Sequence, residues 1–228
     1  GNCGQAATGV MVKFYESAIT SSCQEALAFL AGQSFLDDFY LAGGTALALQ
    51  IGHRLSTDLD WFSYKQSLPA AEREEITRTL SAGGQFQIVS EQDGMLYSKL
   101  IGTDVSFIFQ QHPLLHETVY YKGVQLASPI DIGLMKLAAI NSRGARRDFV
   151  DIYCLRHIIS LEELLALAPQ KYANRPDFLS IAVRALTYFE DAEQQPMPQM
   201  YVDVSWESVR TYCQIAARNL ARRLSGLK

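Results

Sequence analysis

A glycine-rich turn and two closely spaced carboxylates lie within the segment LAGGTALALQIGHRLSTDLDWFS, residues 41–63. Asp58 and Asp60 belong to DLDWFS, where carboxylates alternate with bulky apolar residues, which predicts a β-strand. Both carboxylates would then point to one face, with Cα atoms roughly 7 Å apart. Two such charges repel each other unless a cation lies between them, and Mg²⁺ takes one or two carboxylates together with substrate phosphate. An exposed strand whose carboxylates simply face water fits the same pattern.

Gly43, Gly44 and Thr45 stand between a short predicted strand, residues 39–42, and a helix predicted to begin at or just after Thr45. Free N–H groups and the positive end of a helix dipole favour a phosphate there, and glycines allow close approach. The Thr45 hydroxyl is predicted to donate to that phosphate or to cap the helix. An ordinary turn with a threonine cap is the alternative interpretation of this tripeptide.

His53 and Arg54 are predicted to close the same helix. Arg54 could bind a phosphate of the nucleotide, and it could equally form an ion pair with Asp58 that stabilises the fold. His53 is interpreted as a helix-terminal residue rather than a catalytic one.

The remaining periodicities predict an α/β part followed by a helical part. Helices are predicted at residues 21–33 and 69–82, and QFQIVSEQ, MLYSKLIG and TDVSFIFQ are predicted to continue the sheet in antiparallel fashion. ETVYYKGVQLAS predicts a short hairpin. From Pro129 onward five segments have helical periodicity: IDIGLMKLAAINSRG, ARRDFVDIYCLRHI, LEELLALAPQKYA, PDFLSIAVRALTYFEDAE and SWESVRTYCQIAARNLARRL.

Composition narrows the class of protein. The 228 residues include 48% hydrophobic residues, enough for a sizeable core, and the net charge of −4 gives no general attraction to nucleic acid. The four cysteines are scattered, which does not predict a disulfide framework or a thiolate metal site.

No run of about eighteen apolar residues occurs, so no membrane span or membrane partner is expected, and a cytoplasmic location is predicted. Residues 1–20 are predicted to be a leader or tag-like segment with the start of the first helix, and Met11 is expected to be the natural first residue.

The segment GGTALALQIGHRLSTDLDWFS closely resembles the signature of the AbiEii/AbiGii nucleotidyltransferase toxin family, within the DNA polymerase β-like nucleotidyltransferase superfamily. A second block, LASPIDIGLMKLAAINSRGARRDFVDIYCL, resembles the later signature of that family: an Asp, a Lys five residues on, then an Arg and an Asp-x-x-Asp group. The resemblance implies an α+β fold, with a nucleotidyltransferase-like mixed sheet and flanking helices over residues 21–128. A helical C-terminal region, residues 129–228, would follow.

The resemblance also implies roles for individual residues. The glycine turn and Thr45 would bind nucleotide phosphates, and Asp58 and Asp60 would hold Mg²⁺ or Mn²⁺. Lys136 would steady the triphosphate or the transition state, and Asp151 would complete the later block. A nucleoside triphosphate substrate, an RNA acceptor such as transfer RNA or a protein acceptor, and a separate antitoxin partner follow from the same resemblance. The chain would then be a bacterial toxin of a toxin–antitoxin or phage-defence pair.

The sequence departs from the superfamily pattern at one position. A third carboxylate is expected on a later strand, but the strand GTDVSFIF places Ser106 there, and Asp104 lies two residues earlier. Asp104 is kept as a candidate catalytic residue that serves if the strand register differs. Without a third carboxylate, a binding protein that docks a partner without turnover becomes the alternative, and a phosphodiesterase or nuclease is a third hypothesis.

Two further groups of charges have alternative interpretations. Asp148 and Asp151 are three positions apart on a predicted helix and face together with Arg147 beside them, which fits either a catalytic block or an ion-paired pair of helices. The last predicted helix carries Arg210, Arg218, Arg222, Arg223 and Lys228, which is either an RNA-binding face or a solvated helix end.

Overall fold

The computed structural model describes residues 3–5, 11–63 and 67–224; at residues 3–5, 11, 12 and 224 it describes the backbone alone. Part of the predicted leader and all of Lys228 therefore lie outside the described residues. The chain divides into two compact units. The first comprises Gly1–Pro113 and Glu117–Ser128, and the second comprises Leu114–His116 and Pro129–Lys228.

Seven strands of the first unit form one mixed sheet in the order β5-β6-β7-β4-β3-β9-β8. These strands are β3 Tyr40–Ala42, β4 Asp58–Ser63, β5 Phe86–Gln92, β6 Met95–Leu100, β7 Thr103–Phe109, β8 Val119–Tyr121 and β9 Val124–Leu126. A separate antiparallel pair consists of β1 Cys3–Gln5 and β2 Met11–Lys13. The mixed sheet, together with the helices described below, confirms the predicted α+β class.

The pairing of the sheet corrects one expectation. Strands β5, β6 and β7 pair antiparallel with one another as predicted, but β7 then pairs parallel to β4. Strand β3 likewise pairs parallel to β9. The error has a physical cause, because alternation of polar and apolar residues defines the faces of a strand and carries no information about the direction of its neighbour.

Three helices flank this sheet: α1 Ser21–Leu30, α2 Gly43–Ile51 and α3 Ala70–Ala82. Helix α2 begins two residues before Thr45, so its predicted start is wrong, and Ala42 occupies the N-cap without a side-chain hydrogen bond. It ends at Ile51, where Gly52 adopts a left-handed conformation with φ +64°. His53 and Arg54 therefore lie beyond the helix rather than closing it.

The second unit is helical. Its helices are α4 Pro129–Arg143, α5 Arg146–Cys154, α6 Leu161–Lys171, α7 Phe178–Ala185, α8 Glu190–Glu193 and α9 Trp206–Leu224. The segment predicted as one helix from residue 176 is divided, because the chain turns after Ala185 and places both Leu186 and Phe189 in the core. Phe149, Phe189 and Trp206 pack ring against ring in this core. Within the described part of the chain, no helix combines the length and apolar character that crossing a membrane demands.

Candidate active site

Asp58 and Asp60 lie on the same face of β4. Burial alternates along the strand, with Leu59, Trp61 and Ser63 buried and both aspartates partly exposed. The apolar residues drive this orientation, since burying Leu59 and Trp61 on one face leaves the intervening residues on the other. The geometric condition for a shared cation, two carboxylates on one side of a strand, is met.

Gly43, the first residue of α2, packs against the Asp60 carboxylate. Strands β3 and β4 pair so that Ala42 lies opposite Asp60, and Gly43 follows with φ +66°. A Cβ atom on Gly43 would lie 2.5 Å from Asp60 Oδ2, closer than a methyl group and an oxygen can approach. Glycine is required here both by the backbone conformation and by the carboxylate packed against it.

Gly44 makes room for Arg54. A Cβ atom on Gly44 would overlap Arg54 Nη2 and lie 3.1 Å from Ser56 Oγ. Arg54 is 4% exposed, and its Nη1 donates a hydrogen bond to the Leu55 carbonyl oxygen at 3.0 Å. The guanidinium is thus held beside the N-terminal turn of α2, the position at which the sequence predicts phosphate binding; that role stays a prediction.

Thr45 contacts Asp58 instead of capping α2. Its hydroxyl donates a hydrogen bond to the Asp58 carbonyl oxygen and lies 3.5 Å from Asp58 Oδ1. Ser56 Oγ donates to the same carboxylate oxygen at 3.3 Å. Thr45 is buried, so its hydroxyl fixes the start of β4 against the helix. The sequence pointed to Thr45 but gave no reason to select Ser56, a serine in an unremarkable loop.

Ser106, which the sequence predicts to stand in place of a third carboxylate, lies opposite Asp60. In the parallel pairing of β4 and β7, Asp60 lies opposite Ser106 and Asp58 lies opposite Asp104. Ser106 is buried, and its hydroxyl donates to Asp60 Oδ1 at 2.6 Å. Asp104 is on the same face but exposed, and its carboxylate pairs with Lys99 Nζ at 2.7 Å. A catalytic role for Asp104 stays a prediction.

The donor set suits a hard cation that retains water. Two partly exposed carboxylates on one strand face are the ligands that Mg²⁺ commonly takes from a protein, with substrate phosphate and water completing the shell. No cluster of three His, Cys, Asp or Glu residues suited to a metal ion occurs among the residues that the structure describes. The two carboxylates present fit a cation whose remaining ligands are water and a phosphate group.

Lys136 and Asp151 belong to a buried ionic cluster in the second unit. Lys136 Nζ lies 2.8 Å from Asp148 Oδ1 and 2.7 Å from Asp151 Oδ2, and both carboxylates are fully buried. Arg143 Nε also lies 2.9 Å from Asp148 Oδ2. Burial alone would raise the pKa of Asp148, but Lys136 and Arg143 outweigh that effect and hold its pKa below the usual value. The ion-paired helices considered from the sequence are therefore present; catalytic roles for Lys136 and Asp151 stay predictions.

A second buried pair in this unit was not found from the sequence. Asp131 accepts hydrogen bonds from the backbone N–H groups of Leu115 and His116, at 2.8 and 3.0 Å, and from Lys171 Nζ at 3.0 Å. Burial lowers the pKa of Lys171, and Asp131 partly offsets that shift. The available signal was the spacing of Lys171, three and seven residues after the buried Ala168 and Leu164. That spacing puts a lysine on the apolar face of α6.

Comparison with known proteins identifies relatives along most of the chain. Residues 27–212 match the family described as nucleotidyl transferase AbiEii toxin, Type IV TA system. The chain is 35% identical over 195 residues to the uncharacterized protein aq_aa25 of Aquifex aeolicus, covering 83% of this chain and 91% of the relative.

Solved structures that share the fold include the following two. One is MenT4, a nucleotidyltransferase toxin from Mycobacterium tuberculosis, with a TM-score of 0.55, 19% identity, and coverage of 90% of this chain and 91% of that chain. The other is JHP933 from Helicobacter pylori, with a TM-score of 0.51, 18% identity, and coverage of 93% and 95%. At such identities these structures support the fold alone.

Proposed function

The chain belongs to the AbiEii nucleotidyltransferase toxin family, and from that premise we propose that it transfers a nucleoside monophosphate from a nucleoside triphosphate to an RNA or protein acceptor. The observation that carries the proposal is the position of the two acidic side chains. Asp58 and Asp60 share one face of β4, and Asp60 packs against Gly43 at the N-terminus of α2. Carboxylates that bind cations and a helix end that attracts phosphate thus adjoin each other.

Asp58 and Asp60 would hold Mg²⁺ or Mn²⁺ in this reaction. A divalent ion bound there supplies charge that stabilises the attacking and leaving oxygens during phosphoryl transfer. Hydrogen bonds from Ser56 and Thr45 keep Asp58 in place, and Ser106 does the same for Asp60. Because these carboxylates are already oriented, binding of the ion and nucleotide requires little reorganisation of the protein.

The N-terminal turn of α2 would hold the triphosphate. Its amides, beginning at Gly43 and Gly44, lie at the positive end of the helix dipole, and Arg54 lies beside Gly44. An acceptor hydroxyl oxygen would bond to the α-phosphorus while the bond to the pyrophosphate oxygen breaks. The hydroxyl proton would pass to water, because the side chain opposite Asp60 is the hydroxyl of Ser106 rather than a carboxylate.

RNA as the acceptor is supported by the exposed arginines of α9. Arg218, Arg222 and Arg223 are exposed near the end of this helix. Arg210 contacts the protein itself, with Nη1 3.0 Å from Glu193 Oε1 and its guanidinium over the Phe189 ring. Contacts between such arginines and RNA phosphates would make RNA binding depend on salt concentration. The toxin–antitoxin context of the family further supports a separate antitoxin as a partner.

Transfer of label tests the proposal. The purified chain is incubated with Mg²⁺, each α-labelled nucleoside triphosphate and total RNA. We expect labelled RNA or labelled protein with at least one triphosphate, and loss of that label in Asp58→Asn. Tight nucleotide binding without transfer under any triphosphate would contradict it. Degradation of RNA without added triphosphate would indicate a nuclease.

The alternative function is a nucleotide-binding or partner-docking protein without turnover. Ser106 favours it, since the position opposite Asp60 lacks a carboxylate and Asp104 is engaged with Lys99. Ser106→Asp separates the two hypotheses. If the missing carboxylate prevents turnover, the wild type transfers no label and Ser106→Asp does. If the wild type already transfers label, the alternative is wrong.

A further inference from the structure

An open cavity of about 490 Å³ lies in the second unit. Its walls come from the C-terminal end of α4 and from α7 with the turn that follows it. Small-molecule sites in proteins typically occupy about 300–1,000 Å³. Ile140, Ile181 and Ala185 give the cavity apolar surface, which suits a flat apolar ligand rather than a fully hydrated ion.

Asn141 adds an unsatisfied amide to this wall. Neither Oδ1 nor Nδ2 of Asn141 has a hydrogen-bond partner among the residues that the structure describes, and both atoms are out of contact with solvent. Such a group is costly, because it has lost water without gaining a protein partner. The amide atoms do not face the cavity in this structure, so contact with a ligand that offers one donor and one acceptor side by side requires a rotation of the Asn141 side chain. The edges of nucleobases offer that pair, and asparagine recognises adenine in this way.

Arg184 supplies positive charge to the same cavity. It is exposed, and its guanidinium forms no ion pair with any carboxylate in the described part of the chain. Arg143 also lines the cavity but already binds Asp148 through Nε and Nη2. Asp191 contributes a carboxylate to the lining, which disfavours a ligand with several phosphates. The charges therefore match a single phosphate group.

The exposed Tyr188 ring provides a surface for stacking. This residue is 53% exposed, and its hydroxyl donates to Glu190 Oε2 at 2.7 Å, which fixes the ring at the edge of the cavity. Aromatic rings beside unpaired bases are a common feature of single-strand recognition.

We propose that this cavity binds one nucleotide bearing a single phosphate, with its base against Ile140, Ile181 and the Asn141 amide and its phosphate on Arg184. The proposal does not depend on nucleotidyl transfer, because none of the residues that carry it is assigned a role in that reaction. The nucleotide can come from two sources, a free mononucleotide or an unpaired position in RNA, and both present the same chemistry.

Site-resolved photolabelling tests the proposal in the full-length chain without divalent cations. The probes are 8-azidoadenosine monophosphate and a short single-stranded RNA with one internal 8-azidoadenosine. We expect label on the peptides that carry residues 140–143 or 181–188. Labelling there by the mononucleotide alone identifies a free nucleotide as the ligand, and labelling by the RNA identifies an unpaired RNA position. Label confined to other peptides would overturn the proposal.

Two substitutions with matched controls measure the contributions of the charge and the amide. Arg184→Glu, at an exposed position that should not affect folding, is expected to weaken adenosine monophosphate binding at least ~10-fold by titration calorimetry. Arg78→Glu, an exposed arginine on α3, should leave it unchanged. Asn141→Ala should weaken binding and Asn174→Ala, at an exposed position, should not. Equal affinity in wild type and Arg184→Glu would overturn the assignment.

Discussion

The acidic pair of β4 and the acidic pair of α5 have the same charge in opposite surroundings. Asp58 and Asp60 are partly exposed and accept hydrogen bonds from the neutral hydroxyls of Ser56 and Ser106. Asp148 and Asp151 are fully buried, and both lie within 2.8 Å of the Lys136 ammonium.

This difference separates two uses of a carboxylate. A buried anion must be neutralised by the protein itself, because removing it from water costs more than hydrogen bonds to neutral groups return. A partly exposed anion can be reached by a ligand that arrives from solution. The β4 pair is therefore suited to bind a cation, and the α5 pair is suited to join two helices.

The largest effect on activity is expected at the β4 pair. Asp60→Asn removes the charge but keeps the size of the side chain, so we expect label transfer to fall at least ~100-fold with little change in stability. Asp104→Asn, on the same sheet face but paired with Lys99, is the control and should cost little. If both variants lose activity equally, Asp104 takes part in catalysis and the β4 pair is not a self-sufficient site.

The largest effect on stability is expected at the α5 pair. Lys136→Met removes the ammonium group that contacts both buried carboxylates, so we expect the free energy of unfolding to fall by about 3–5 kcal/mol. Urea denaturation measures this free energy of unfolding. Lys99→Met, which breaks an exposed ion pair, should change the same quantity by less than ~1 kcal/mol. A Lys136→Met protein of unchanged stability and no activity would instead establish the catalytic role that the family resemblance implies.

Gly43→Ala tests whether packing at the N-terminus of α2 positions Asp60. The new methyl group would meet Asp60 Oδ2 and also strain a backbone with φ +66°. Gly84→Ala is matched for conformation, since φ is +74° there and no atom lies within 4 Å of the added Cβ. Both variants should lose about 1 kcal/mol of stability from the backbone, and Gly43→Ala alone should lose label transfer. Equal activity in the two variants would show that Asp60 does not need its contact with Gly43.

A smaller effect should appear in the pH dependence of unfolding. The pKa of Asp148 is lowered in the folded protein, so this residue contributes stability above its ordinary pKa of 3.8 that is lost as the pH falls through the folded value. Asp148→Asn should therefore show a shallower loss of stability in acid than the wild type. Calorimetric melts from neutral pH down to acid compare the slopes. Identical slopes would mean that Lys136 and Arg143 do not lower this pKa.

Local patterns in the sequence were sufficient to predict several features. The alternation in DLDWFS predicted that Asp58 and Asp60 share a face, and the structure confirms it. The helical periodicity after Pro129 predicted a helical C-terminal part, although the segment from residue 176 divides into α7 and α8. Such predictions succeed because the period of apolar residues follows directly from the geometry of a single helix or strand.

Contacts between distant segments could not be predicted in this way. The hydrogen bond from Ser106 to Asp60 joins residues 46 positions apart. The ion pair between Lys171 and Asp131 joins residues 40 positions apart. Neither partner carries a local signal for the other, and the predicted antiparallel continuation of the sheet failed at the pair of β7 with β4 for the same reason.

The sequence by itself determined the chemical groups, their faces within each strand or helix, and the family to which the chain belongs. Only the tertiary structure decided that a hydroxyl rather than a carboxylate stands opposite Asp60, and that Asp104 is paired with Lys99 instead. The physical reason is strand register. Sliding β7 by two residues along β4 would keep every side chain on its own face of the sheet while placing Asp104 rather than Ser106 opposite Asp60, and packing across the whole sheet selects between those arrangements.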